Sequence, residues 1–160
     1  YREALALIPD LDSKIVYDLY CGTGTISQLM ASKAKKVYGI EIVQDSVDAA
    51  IDNAKMNNID NCHFICGDVK AKLDEVTEKP DIIVVDPPRM GMHDKVVEML
   101  ASYGIEQILY ISCNPNTMAM NLEKFAELGY EPVVMKAYDN FAKTKHVECV
   151  VLMSKVAPSK

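Results

Sequence analysis

The chain has 160 residues, of which 49% are hydrophobic and 25% charged, and its formal net charge is −6. This length and composition predict one globular domain with a buried core, and no apolar run approaches the roughly 20 residues that span a bilayer. Domains that bind nucleic acid by themselves are normally basic, because phosphate neutralisation dominates their affinity. The acidic balance therefore argues against nucleic-acid binding by this chain alone.

Apolar runs and helix-like patterns alternate along the chain, after a short amphipathic helix predicted at 1–9. Strands are predicted at 14–19, 36–41, 62–66, 81–85 and 107–112, with helices at 25–34, 44–57, 69–76, 93–102 and 115–128. Two more strands, 131–138 and 147–154, have no helix between them and should pair as an antiparallel hairpin. The pattern predicts an α/β, Rossmann-like domain over residues 1–156, with a mostly parallel seven-stranded sheet and a polar tail at 157–160.

The segment DLYCGTGT, residues 18–25, joins the first strand to its helix. Gly22 and Gly24 allow a tight turn and a close approach of the backbone to a ligand, although a purely structural turn is the alternative. A dinucleotide site would prefer a third glycine where Ser27 stands, and Asp18 would repel a pyrophosphate. Because a cationic sulfonium would be favoured beside Asp18, the predicted cofactor is S-adenosylmethionine rather than NAD.

Acidic residues end the next two strands. Glu41 could accept both hydroxyls of a ribose, and Asp68 could accept the amino group of an adenine. Since parallel strands end at the same edge of a sheet, these carboxylates and the glycine loop predict one cofactor crevice. Glu41 is expected at an exposed strand end, where its replacement should weaken cofactor binding without disturbing the fold.

The five cysteines are dispersed, which is typical of a reducing compartment rather than of a disulfide framework; they are Cys21, Cys62, Cys66, Cys113 and Cys149. With no signal-peptide pattern, the protein is predicted to be cytoplasmic. Cys62-His63-x-x-Cys66 invites a metal interpretation, but no second ligand pair follows at zinc-like spacing. We therefore predict core cysteines and no metal.

The segment DPPR, residues 86–89, follows the fourth predicted strand. Its two prolines stiffen the loop and keep the preceding residue extended. This predicts that Asp86 is held at the sheet edge beside the cofactor crevice. A rigid turn capped by an aspartate is the alternative interpretation, and a functional Asp86 is favoured.

The segment SCNP, residues 112–115, follows the fifth strand at the same edge. Asn114 is a good helix N-cap and Pro115 a favoured first helical residue. Cys113 should therefore lie near the positive end of a helix, which would lower its pKa. Free cysteines are commonly inert packing residues, but a thiol at a strand tip favours a nucleophile.

The segment HVE, residues 146–148, belongs to the last predicted strand, where Thr144, His146 and Glu148 would share one face. Glu148 is expected inside an otherwise apolar strand, where a carboxylate costs free energy unless it is paired or needed. Burial would raise its pKa toward neutrality, which suits a general base. His146 is interpreted as structural.

Taken together, DLYCGTGT, DPPR, SCNP and HVE resemble the catalytic domain of the RNA uracil-C5 methyltransferases, which make 5-methyluridine in tRNA and ribosomal RNA. The resemblance covers essentially all 160 residues. It implies a methyltransferase that uses S-adenosylmethionine to methylate a uridine of RNA, with 23S rRNA favoured over tRNA. Cys113 would be the nucleophile that adds to carbon 6 of the uracil, and Glu148 the base that removes a proton from carbon 5. The methyl-donor site would comprise Tyr20, Gly22, Gly24, Thr25, Glu41, Asp68 and Asp86.

The family's upstream donor-binding glutamine, its N-terminal RNA-binding barrel and the iron–sulfur cysteines of some members are not matched here. We therefore expect a missing N-terminal domain to grip most of the RNA, which would explain the acidic charge of this chain. Two other functions stay open. One is an amino-group methyltransferase acting on adenine or protein, whose loop would carry an aromatic residue where Arg89 stands. The other is a non-catalytic domain that binds S-adenosylmethionine, and neither function needs Cys113 or Glu148.

Overall fold

The computed structural model describes residues 1–139 and 147–156. The strands are β1 Ile15–Leu19, β2 Lys36–Glu41, β3 Cys62–Cys66, β4 Ile82–Val85, β5 Gln107–Ser112, β6 Tyr130–Tyr138 and β7 Glu148–Lys155. The helices are α1 Arg2–Leu5, α2 Thr25–Ala31, α3 Gln44–Met56, α4 Val69–Leu73, α5 Asp94–Ser102 and α6 Pro115–Glu127.

Within the described residues, the strands form one seven-stranded sheet in the order β3-β2-β1-β4-β5-β7-β6. Strands β1 to β5 are parallel, and β7 lies antiparallel between β5 and β6. The predicted mostly parallel sheet with a terminal antiparallel hairpin is confirmed. The hairpin inserts so that its second strand, β7, pairs directly with β5.

Helices cover both faces of the sheet. On one face α4, α5 and α6 enclose a core that includes the fully buried Tyr17, Tyr110 and Phe125. On the other face α1 and α2 pack over a second apolar cluster that includes Met30 and Leu109. Strands β4 and β5 are apolar and buried almost throughout, which is typical of parallel strands covered on both sides.

Helix α1 is shorter than the predicted helix at 1–9. It ends at Leu5, and the chain continues in tight turns in which the N–H of Ile8 donates to the carbonyl of Leu5 at 3.1 Å. Pro9 explains the early end, because the residue before a proline is disfavoured in helical conformation. Ile8 and Leu11 remain buried, so the apolar side of the segment still packs on the core. No helix in the described part of the chain is long and apolar enough to cross a bilayer.

Candidate active site

The predicted site residues lie along the edge where the parallel strands end. In sheet order, Asp68 follows β3, Glu41 ends β2, Tyr20 follows β1, Asp86 follows β4, Cys113 follows β5 and Glu148 begins β7. The connections change direction between β1 and β4, and open α/β sheets bind ligands at such a switch point. The fold therefore brings both sets of predicted residues, for cofactor and for catalysis, to one edge.

The loop after β1 turns through three left-handed residues: Tyr20 at φ +64°, Gly22 at +52° and Gly24 at +79°. For Tyr20 this conformation costs about 1–2 kcal/mol, and such strain is concentrated at ligand sites. A Cβ at Gly22 would meet nothing within 4 Å, whereas one at Gly24 would lie 2.8 Å from the ring of Phe64. Gly22 thus leaves room for a ligand, and Gly24 is required for packing against β3. Thr25 is exposed at the first position of α2.

Glu41 ties the glycine loop to the end of β2. Its Oε2 accepts the N–H of Gly22 at 3.1 Å, and its Oε1 accepts those of Ile42 at 2.8 Å and Val43 at 3.0 Å. The expectation of an exposed carboxylate that could be replaced without structural cost is therefore corrected: Glu41 is half-buried and holds the loop together. Oε2 keeps acceptor capacity for a ribose hydroxyl, because a carboxylate oxygen has two lone pairs.

Asp68 is exposed and caps α4, where its side chain accepts the N–H of Ala71 at 3.2 Å. Burial raises the pKa of the Tyr20 phenol to about 12, and the negative charge of Asp68 adds to the effect. The Tyr20 ring and the Asp68 carboxylate are thus neighbours at the donor end of the edge.

Asp18 lies underneath the glycine loop and is fully buried. The Ser27 hydroxyl donates to its Oδ2 at 2.5 Å, and its Oδ1 has no partner among the described residues. Burial raises the pKa of Asp18 to about 7, against a lowering by the Ser27 hydrogen bond. Since the carboxyl is only partly ionised at neutral pH, Asp18 should repel a pyrophosphate less than a fully charged aspartate would. Its unpartnered oxygen fits a ligand that brings a hydrogen-bond donor or a positive charge.

Asp86 lies at the switch point, half-buried, as its two following prolines predicted. Its N–H donates to the Leu19 carbonyl at 3.2 Å, and its Oδ2 accepts the Tyr1 hydroxyl at 3.3 Å. Burial, and after it the negative charge of Glu148, raises the pKa of Asp86 to about 6, against a lowering by the Tyr1 hydrogen bond. The Glu148 carboxylate therefore lies near enough for its charge to act on Asp86.

The DPPR and SCNP loops are bound to each other. The Asn114 side chain and the Thr117 hydroxyl both donate to the Arg89 carbonyl, at 2.8 and 3.2 Å. The Asn114 side chain also caps α6 by accepting the N–H of Asn116 at 3.2 Å. Cys113 therefore lies between a fixed cap and the end of β5, one residue before the N-cap of a 13-residue helix.

Asn121 holds two segments of the site together, although no sequence motif pointed to it. This buried residue accepts the N–H of Met92 and the Tyr110 hydroxyl, both at 2.8 Å, and donates to the Met92 carbonyl at 2.8 Å. It joins α6 to the segment after DPPR. In the sequence, Asn121 could have been noticed as a single amide side chain on the apolar face of the helix predicted at 115–128.

Cys113 and Glu148 come together through the β5–β7 pairing. Ser112 pairs with Cys149, so the antiparallel register places Cys113 opposite Glu148 just beyond the last paired position. Glu148 is the half-buried first residue of β7 rather than a residue inside an apolar strand, which corrects that expectation. Thr144 and His146 lie outside the described residues.

A cavity of about 540 Å³ opens between α1 and the β5-β7-β6 part of the sheet. Its walls include residues 1–4, Ile111, Tyr138 and Glu148. Tyr138 pairs with Glu148 across β6 and β7. Its hydroxyl is buried without a hydrogen-bond partner in the described part of the chain. No motif in the sequence points to Tyr138.

The structure also describes the cysteine thiols and the side chains that could bind a metal ion. The thiols of all five cysteines are free, and Cys62 and Cys66 are half-buried in β3. Residues 1–139 and 147–156 contain no group of three His, Cys, Asp or Glu side chains that could hold a metal ion.

Two protein-family models match the chain. The model described as tRNA (uracil-5-)-methyltransferase matches residues 72–156, which is more than half of the chain. A general methyltransferase-domain model matches residues 16–104.

Individual proteins agree with these matches. An uncharacterized RNA methyltransferase of Clostridium acetobutylicum is 46% identical over 155 residues, covering 97% of this chain and 34% of that protein. Another, of Caldanaerobacter subterraneus, is 49% identical over 146 residues, covering 91% of this chain and 32% of that protein. The chain thus spans about a third of the length of these curated relatives. Among solved structures, the Pyrococcus abyssi tRNA (uracil-54, C5)-methyltransferase in complex with S-adenosyl-L-homocysteine superposes with a TM-score of 0.77 at 30% identity, covering 94% of this chain and 38% of that one.

Proposed function

From the premise that the chain belongs to the tRNA (uracil-5-)-methyltransferase family, we propose that it transfers a methyl group from S-adenosylmethionine to carbon 5 of a uridine in RNA. The reaction would pass through a covalent adduct between Cys113 and carbon 6. The observation that carries the proposal is the placement of Cys113 opposite Glu148, beside Asp86, at the edge that also holds the glycine loop.

S-adenosylmethionine is the cofactor, and the residues at the ends of β1 to β3 are suited to hold it. Glu41 keeps an acceptor for a ribose, Gly22 leaves open space, and Asp18 has an unpartnered buried oxygen. Tyr20, Gly24, Thr25, Asp68 and Asp86 complete the proposed donor site. Bound there, S-adenosylmethionine supplies a methyl group made electrophilic by its sulfonium.

Cys113 activates the acceptor. Carbon 5 of uracil is too electron-poor to attack a methyl group unaided. When the Cys113 thiolate adds to carbon 6, a sulfur–carbon bond forms and the electrons of the ring double bond move to carbon 5 and its carbonyl as an enolate. Carbon 5 is then nucleophilic and accepts the methyl group. Cys113 lies beside the N-terminus of α6, between the end of β5 and the Asn114 cap.

Glu148 completes the reaction. After methylation, carbon 5 carries both the new methyl group and a surplus proton. The Glu148 carboxylate removes that proton, the ring double bond forms again, and the bond from carbon 6 to Cys113 breaks to return the thiolate. A base opposite the nucleophile on the neighbouring strand can reach the same ring without moving either strand.

The RNA must present the uridine outside its base stack, because the reacting groups lie in a recess of a folded edge. Binding of RNA backbones depends on basic surfaces, and this chain has a net charge of −6 while spanning about a third of its relatives. We therefore propose that most of the RNA is held by a part of the full-length protein outside these 160 residues. Mapping 5-methyluridine in 23S rRNA and in tRNA would identify the target.

Covalent capture tests this function. The full-length protein, with S-adenosylmethionine, would be mixed with 23S rRNA or tRNA containing 5-fluorouridine and run on a denaturing gel. Fluorine at carbon 5 cannot leave as a proton, so the Cys113 adduct should persist and shift the protein band. Cys149→Ala, which alters the half-buried cysteine of the adjacent strand, is the matched control and should trap RNA like the wild type.

An amino-group methyltransferase or a non-catalytic binding domain would form no such adduct. Arg89 is exposed at the position where an amino-group enzyme would carry a base-stacking aromatic residue. Methyl transfer by the wild type to an exocyclic or protein amino group, with no covalent band on either fluorinated RNA, would overturn the proposal.

A further inference from the structure

We infer that the cavity between α1 and the β5-β7-β6 part of the sheet is the pocket for the target base, and that Tyr138 donates a hydrogen bond to a carbonyl oxygen of the pyrimidine there. The inference rests on the proposed function, and it concerns a residue to which neither the motifs nor the family resemblance assigns a role. It is carried by the position of the cavity, by the burial of the Tyr138 hydroxyl and by the contrast with other tyrosines.

The cavity adjoins the proposed base. Glu148 lines it directly, and so does Ile111, whose strand β5 ends one residue before Cys113. A volume of about 540 Å³ falls within the roughly 300–1,000 Å³ of small-molecule sites.

Tyr138 is positioned across from the proposed base. It pairs with Glu148 in the β6–β7 ladder, and both side chains contribute to the wall of the same cavity. Its ring packs beside the apolar cluster under α1, which includes Val150 and Ile111. The aromatic ring is thus packed against the core, and the residue contributes to the cavity wall.

The hydroxyl of Tyr138 differs from those of the other buried tyrosines. Tyr17 donates to the Glu78 carbonyl at 2.5 Å, Tyr110 to Asn121 at 2.8 Å and Tyr130 to the Ile105 carbonyl at 2.8 Å. The Tyr138 hydroxyl is equally hidden from solvent but has no partner in the described residues. Buried hydroxyls without a partner are unfavourable, so such a group at a ligand cavity indicates that the ligand supplies the acceptor. Uracil presents two carbonyl oxygens that can accept this bond.

The test uses the full-length protein and the RNA that the wild type methylates. Tyr138→Phe removes only the hydroxyl, and Tyr130→Phe is the matched control at the other end of β6. We expect Tyr138→Phe to raise the KM for RNA about tenfold with little change in kcat, because a hydrogen bond to the substrate is lost. Its thermal unfolding should stay unchanged or shift slightly upward.

The control should behave in the opposite way. Tyr130→Phe loses a hydrogen bond within the protein, so its melting temperature should fall by about 2–4 °C while KM stays that of the wild type. Wild-type KM in Tyr138→Phe would overturn the inference. So would accumulation of a methylated covalent RNA adduct by Tyr138→Phe, because the hydroxyl would then act through Glu148 rather than on the base.

The inference and the proposed function fail separately. A wild-type protein that transfers methyl groups only to amino groups would overturn the function before any variant is compared. A wild type that methylates uridine, beside a Tyr138→Phe variant with unchanged kinetics, would overturn only the base contact.

Discussion

The two halves of the carboxyl edge differ in how their carboxylates are used, although each has one buried polar atom without a partner among the described residues, Asp18 Oδ1 in one and the Tyr138 hydroxyl in the other. In the donor half, at the ends of β1, β2 and β3, Glu41 accepts three backbone N–H groups and Asp68 caps a helix. In the reaction half, at β4, β5 and the start of β7, Asp86 and Glu148 repel each other. Nearby, the Tyr138 hydroxyl has no partner among the described residues.

This difference reflects the role proposed for each half. The donor half uses its carboxylates to shape its own loops, so it is largely formed before a ligand arrives. The reaction half keeps like charges and a polar group together at a cost in free energy, and such costs are retained mainly at functional sites.

Removing the two proposed reacting groups should produce opposite failures. Cys113→Ala should lower methylation of RNA by roughly 10⁴-fold or more and form no covalent complex, because carbon 5 is never activated. Glu148→Gln can still add the thiol and accept the methyl group, but it cannot remove the surplus proton. We therefore expect it to accumulate a methylated, covalently bound RNA on unmodified substrate, visible on a denaturing gel.

The shape of Glu148→Gln is nearly that of the wild type, so a folding defect would not produce this adduct. Thermal unfolding of both variants serves as the control for folding. Normal turnover by Glu148→Gln, or an adduct formed by Cys113→Ala, would show that these two roles are wrongly assigned.

Asp18 is fully buried on β1, and this burial should make the free energy of unfolding depend on pH. Its pKa is raised from an ordinary 3.8 to about 7 in the folded chain. Between these values the folded state holds a proton that the unfolded state has released, so stability is lost as pH rises through this window. About three pKa units correspond to roughly 4 kcal/mol of unfolding free energy.

Asp18→Asn should remove this dependence, because an amide does not ionise. Denaturant unfolding at pH 4, 6 and 8 would show a smaller loss of stability in the variant than in the wild type. The remaining fall should follow Asp86, whose pKa is also raised, to about 6. Asp52→Asn, which changes an exposed aspartate, is the control. Parallel pH profiles for wild type and Asp18→Asn would contradict the burial argument.

The donor half was the easier half to predict from sequence, for a physical reason. Its residues follow strands whose apolar runs are bounded by glycines and polar residues, and parallel strands end at one edge whatever their order. The glycine loop, Glu41 and Asp68 were therefore expected at one crevice without knowledge of which strands pair, whereas Tyr20 was assigned only through the family resemblance. The sequence pattern did not predict that Glu41 accepts the N–H of Gly22, nor that Asp18 is buried beneath the loop.

The reaction half depends on contacts between residues far apart in the chain. Period-two patterns predicted both final strands, yet they carry no information on which neighbour β7 pairs with. Its insertion between β5 and β6 places Glu148 opposite Cys113 and Tyr138 beside Glu148. The Tyr1 contact to Asp86 spans 85 positions and follows from the packing of α1. Proposing these residues singly was possible, whereas their mutual geometry needed the folded sheet.

Glu41 provides the smallest of these effects and the sharpest test of the contrast, since it should both build the loop and bind the donor. Glu41→Ala removes the acceptor of three backbone N–H groups. We expect S-adenosylmethionine affinity to fall by ten- to a hundredfold, from the roughly 1.5–3 kcal/mol of a charged hydrogen bond. We also expect a lower melting temperature, because the Gly22 loop is released.

Glu41→Gln separates these two losses. Its single carbonyl oxygen can still accept the N–H groups of Ile42 and Val43, but the amide nitrogen then faces the Gly22 N–H and the ribose. Titration calorimetry should show donor affinity reduced nearly as much as in Glu41→Ala, while thermal unfolding is closer to the wild type. Asp68→Asn is the control, since asparagine caps a helix as well as aspartate does and should leave stability unchanged. If both Glu41 variants lose stability but bind the donor with wild-type affinity, then Glu41 holds the loop together and does not contact the donor.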